Sequence, residues 1–127
     1  MMSGFSDAYE LLVLDHFTGN AVWTAPTHWW VSLWVGDPDG AGTEVTGVGY
    51  GRIDGSFGGA GAGAAANDAE VDFGTAGGDW GTVTHFGIHT LVTAGALMAS
   101  GELSASAEIT SGEDVSFPIG DLMLTLE

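Results

Sequence analysis

The chain has 127 residues, 45% of them apolar, no cysteine, and 17 acidic residues against a single cation, Arg52, for a formal net charge of −16. That balance excludes disulfides and thiolate metal sites, sets the surface against nucleic-acid phosphates, and leaves no run near the ~18 apolar residues of a membrane-spanning helix. Five tryptophans argue against disorder, and the length predicts one domain over 1–127.

The opening Met1-Met2-Ser3-Gly4 is not a basic stretch leading into an apolar run, so no signal peptide is expected. Residues 6–18 predict a helix, with Asp7 as N-cap, Glu10 completing a capping box and Gly19-Asn20 as the stop. Ala8, Leu11, Leu12 and Leu14 give it a wide apolar face that should dock on something. Thr24-Ala25-Pro26-Thr27 reads as an extended linker. His28–Val35 reads as a strand with Trp29, Val31, Leu33 and Val35 on one face and Trp30 and Trp34 on the other. A strand apolar on both faces is covered on both, by a core and by the helix or a neighbouring subunit. Gly36-Asp37-Pro38-Asp39-Gly40 is a turn.

Thr43–Ile53 is extended but broken by Gly47, Gly49 and Gly51, and Gly58–Ala66 reads as an irregular Gly/Ala loop. Ala69–Phe73 predicts a short strand with Glu70 and Asp72 facing solvent at a sheet edge. Asp79–His89 predicts the central strand, Val83, His85, Gly87 and His89 on one face, Thr82, Thr84, Phe86 and Ile88 on the other. Phe86 and Ile88 mark its core side, and Gly87 marks a close approach. Strands follow at 97–103, 105–110 and 115–118, and at 121–126 with Leu122, Leu124 and Leu126 alternating. The sum is an all-β, antiparallel β-sandwich, jelly-roll-like, with one N-terminal helix.

Several stretches occur together and in order: Thr24-Ala25-Pro26, Val31-Ser32-Leu33 with its Gly-Asp-Pro turn, Gly42–Gly47, Gly49-Tyr50-Gly51-Arg52, Gly78–Ile88 and Val115-Ser116-Phe117-Pro118. With them the chain resembles a family of small virion proteins of tailed phages, tail-fibre-like or head-decoration-like. The resemblance implies a structural protein of the particle, assembled in the host cytoplasm. It would be a homo-oligomeric capsid decoration or turret subunit, with a trimer favoured. The alternative is a tail-fibre or receptor- and glycan-binding module. The acid excess departs from the family and implies a halophilic host, since self-repulsion becomes tolerable where salt shortens the Debye length to about 3 Å at 1 M. A basic partner protein would supply the missing cations instead.

The remaining chemistry is read against its plainer explanation. His85 and His89 on a strand stand about 13 Å apart, too far for one metal ion. Asp37, Asp39 and Glu44 are the candidate Ca²⁺ ligands, but Pro38 and the incomplete pattern favour a plain turn, and no metal or cofactor is expected. No nucleophile elbow is present and no acid pair stands out, so an enzyme is not expected. Trp29, Trp30 and Trp34, with Leu11 and Leu14, are expected at an interface; a glycan platform is the other reading of the tryptophans. Trp80, His85, Phe86, Ile88 and Arg52 are expected to be structural. Arg52 is expected on a carboxylate such as Glu44 or Asp54, or on an aromatic ring. The partners expected are the chain itself, capsid or tail proteins, and a host glycan or receptor.

Overall fold

A computed structural model describes residues 3–125. The strand β7 (Gly81–His89) is central, paired antiparallel with β2 (Trp29–Val35) on one side and β8 (Leu97–Ile109) on the other. β1 (Ser3–Phe5) continues the sheet beyond β8. β3 (Thr43–Glu44) and β4 (Ile53–Gly55) lie end to end along the free edge of β2, opposite Trp34–Val35 and Trp29–Val31 respectively. Four further short strands form two separate antiparallel ribbons: β6 (Val71–Thr75) with β9 (Asp114–Phe117), and β5 (Ala64–Ala66) with β10 (Met123–Thr125). The fold is thus antiparallel β with one short helix, α1 (Asp7–Phe17).

Alternation along the strands decides the core. Val31 and Leu33 of β2 lie opposite Ile88 and Phe86 of β7, and all four are buried. Val71 and Phe73 of β6 and Phe117 of β9 join them from one ribbon, and Leu122 from just before β10. Each such side chain contributes about 1.5–3 kcal/mol when fully buried. Strict alternation fails at one place that matters for the core. Pairing between β7 and β8 slips between Val83 and His85, where Val83 faces Ala107 but His85 faces Glu102. The irregularity returns Val83 to the same buried cluster as Phe86 and Ile88, not to the face of His85 as alternation predicts. Residues 97–109 form one strand where two were expected.

The helix departs from expectation at its start. Its N-cap is Ser6, not Asp7: Ser6 is extended and its Oγ accepts from the Tyr9 amide. The cause is tertiary. Ser6 also donates its amide to Met98 O and its hydroxyl to Leu97 O, so β8 fixes where the helix begins. The apolar face does not dock within the chain: no residue of α1 is buried, and Leu11, Leu14 and Phe17 are 65%, 58% and 86% exposed. Tyr9 alone packs against the core. Gly19, in the left-handed region, ends the helix as expected.

Other boundaries move for nonlocal reasons. Ala64–Ala66, expected to be irregular, is a strand because Met123–Thr125 pairs with it. Of the extended stretch 43–53, only its ends are strands; the chain between them wraps over Trp80. A Cβ at Gly47 would lie 2.3 Å from Trp80 Cδ1, and the buried indole donates to Val48 O at 2.9 Å. The strand expected at 69–73 runs 71–75, with an irregularity where the Asp72 carboxylate accepts from the Gly74 amide. Leu126 lies outside the described residues.

Candidate functional site: the outer face of the central sheet

The face of β2 turned away from the core carries Trp30, Ser32 and Trp34; their partners on β7 are His89, Gly87 and His85. Because Gly87 has no side chain, its neighbours close over it: a Cβ there would meet Ser32 Oγ at 2.8 Å and His89 Nε2 at 3.1 Å. Into that space fits a polar network. Trp34 Nε1 donates to Ser32 Oγ at 2.7 Å, and Ser32 Oγ lies 2.7 Å from His89 Nε2. An indole N–H only donates, so the serine accepts there and its own hydrogen goes to an unprotonated Nε2. Burial depresses the His89 pKa to about 4, the nearby Arg52 charge adding to it and Glu44 opposing it, so the ring is neutral at ordinary pH. Trp34 also stacks on His89, at 6.1 Å between centroids and 12° between planes.

A serine beside a histidine invites a catalytic reading. Ser32, however, is fully buried, and its oxygen already accepts from Trp34. The pair sets the indole's orientation. Trp30 is held differently: it stacks on His28, whose Nδ1 lies 2.8 Å from Asp54 Oδ2, while Asp54 Oδ1 accepts from the Trp29 amide. Trp30 and Trp34 are both half-buried. Trp29, on the opposite face, packs against the core.

At the edge of the same sheet, Glu44 of β3 accepts from Arg52 at both oxygens, from Nε at 2.9 Å and Nη2 at 2.7 Å. Arg52 Nη1 donates to Leu91 O and Ala94 O. The Tyr50 hydroxyl donates to Glu44 Oε2 and accepts from the Leu33 amide, which falls between the two edge strands. Burial pulls the Glu44 carboxyl up, but the hydrogen bonds from Arg52 and Tyr50 outweigh it and hold the group below its usual range. Burial and then Glu44 raise the Tyr50 phenol well above its ordinary value. The Arg52 guanidinium is raised too, chiefly by its bonds to Glu44 against the pull of burial.

The candidate cation ligands are not brought together. Glu44 is taken by Arg52 and Tyr50, whereas Asp37 and Asp39 line a concavity of about 380 Å³ with Asp7, Glu10, His85 and Glu102. Asp39 there accepts from the Asp7 amide. Among the described residues no group of three or more His, Cys, Asp or Glu is placed to hold a metal ion. His85 and His89 have separate partners, His85 meeting Thr84 Oγ1 at 2.8 Å and Glu102 at 4.0 Å. The exposed apolar residues Leu11 and Leu14 belong to α1, not to a strand of this sheet.

The chain matches the family of the podophage GP4 fiber I protein gp80 over residues 4–125. It belongs to that family. No curated protein matches it. Membership in the gp80 family makes the chain a fibre-type protein of a tailed-phage particle and favours fibre over capsid decoration. The network of Ser32, His89 and Trp34 was not visible in the gp80-family sequence. Its only signal is that Ser32 and Gly87 interrupt otherwise apolar or aromatic runs, and that signal needs the strand register to be useful.

Proposed function

We propose that this gp80-family chain is a structural subunit of a podophage tail fibre. The match to a fibre family across residues 4–125 carries the reading. The subunit would associate with copies of itself and with neighbouring tail proteins. The exposed Leu11, Leu14 and Phe17 of α1 support that, since apolar residues grouped on one short helix gain from being covered. A three-fold assembly rests on the family resemblance alone. The subunit's part is mechanical and adhesive, not catalytic, and the net charge of −16 suits a particle working in concentrated salt. Labelling purified particles with an antibody against this chain tests the assignment. Label at the tail is the expected result; label over the capsid shell overturns it.

A further inference from the structure

Trp30 and Trp34 stand on one face of β2 two pleats apart, about 13 Å along the strand. Neither indole is free to turn. Trp34 is bonded to Ser32 and stacked on His89; Trp30 is stacked on His28, which Asp54 fixes. The packed ribbon residues lie over the opposite face of the sheet. We propose that Trp30 and Trp34 form a binding platform for an uncharged, β-linked oligosaccharide of gluco configuration.

The chemistry follows from what these groups offer. A pyranose of that configuration keeps its hydroxyls at the ring's rim and presents flat C–H faces that lie well on an indole. The rim hydroxyls need polar partners, and Asp54 and His28 supply them beside Trp30, with side chains 40% and 56% exposed. Two indoles on one strand face, the Trp34 ring drawn back towards Ser32, offer stacking positions to more than one sugar of the same chain. Rings already fixed lose little freedom on contact, which favours binding to a small area. Charge sets the class of sugar: a surface at −16 repels uronates and phosphorylated glycans. Area separates a sugar from a second copy of the chain, because two half-buried rings fall far short of the ~800 Å² per partner of a stable protein interface. Ser32 and His89 act here as positioning residues for Trp34.

The platform goes beyond the fibre assignment and does not depend on it. Calorimetric titration of the full chain with cellohexaose and with chitohexaose tests it, with heparin as the anionic comparison. At least one neutral probe is expected to bind and to change tryptophan emission, and heparin to give no heat. Trp30→Ala, half-buried on the outer face of β2, should weaken binding about tenfold, the loss of one ring stack and its contact area. Trp34→Phe tests the second ring, and Phe17→Ala on the helix should bind as the native chain does. Absence of binding by both neutral probes overturns the proposal. So does binding that survives in folded Trp30→Ala and Trp34→Phe, or a change of oligomeric state in Trp30→Ala, which would assign the face to a second copy. Tail labelling without sugar binding removes the platform and leaves the fibre; sugar binding with capsid labelling does the reverse.

Discussion

Arg52 and Glu44 meet side by side, two N–H groups of the guanidinium on the two oxygens of the carboxylate, with only 8% of the arginine side chain exposed. The same guanidinium holds the carbonyls of Leu91 and Ala94. It therefore joins the β3 edge to the connection between β7 and β8. Removing it strands a half-buried carboxylate and two carbonyls at once. Arg52→Ala should lose about 3 kcal/mol, towards the lower end for breaking a buried pair. Arg52→Lys keeps the charge but not the fork and should lose about half as much. Urea unfolding measures both, and equal stability of Arg52→Lys and the native chain would rule out the fork as the source.

His89 makes stability fall as the solution is acidified. The unfolded chain takes up a proton on this histidine as pH drops below its ordinary 6.5, while the folded chain resists until about 4. Stability present above 6.5 is thus lost across that window, on the order of 3 kcal/mol in full. Glu44, held below its ordinary 4.5, adds a loss as pH falls through its folded value. These terms oppose the relief of repulsion that acid brings to the other carboxylates. Melting in concentrated salt, where repulsion is screened, isolates them. The native chain should decline from pH 6.5 to 4, and His89→Gln should stay level; parallel curves would refute the assignment.

Gly87→Ala should disturb the network from below. Its Cβ would press on Ser32 Oγ and His89 Nε2, at 2.8 and 3.1 Å, in a site without slack. We expect a loss of about 2 kcal/mol, together with a shift in tryptophan emission as Trp34 loses its anchor. An unshifted spectrum would mean that Ser32 does not orient the indole.

The strands most readable in the sequence are those whose own residues specify them. β2 and β7 are runs of β-branched and aromatic side chains with a period of two, and Asp37-Pro38-Asp39 carries its turn chemistry locally. The misread parts depend on partners far along the chain. Ser6 replaces Asp7 as the cap because Met98 and Leu97 hold it, and Ala64–Ala66 becomes a strand because β10 runs beside it. Alternation put His85, Gly87 and His89 on one face, but only register shows Ser32 opposite Gly87. The outer face was legible as aromatic, not as a network.

Salt should stabilise the chain strongly. The carboxylates greatly outnumber the one cation, and most of them are exposed. Screening their repulsion should raise the melting temperature steadily from low salt to the molar range. A flat profile in sodium chloride would indicate that bound cations or a basic partner already neutralise them.

Leu14→Ser and Phe17→Ser should leave folding stability within about 0.5 kcal/mol, since both side chains are exposed. The same changes should reduce self-association, read by light scattering. Unchanged particle size would remove α1 from the assembly surface.

The burial of Arg52 has a practical consequence. A protease that cuts after arginine or lysine finds one recognition site in the whole chain, the Arg52–Ile53 bond. Its side chain is held on four acceptor contacts, and Ile53 is already paired into β4. Trypsin can therefore cut only molecules that have opened at this edge, and each such opening leaves two fragments. Timed digestion turns the lone cation into a gauge of how often β3 and β4 leave the sheet, in free protein and in assembled particles alike.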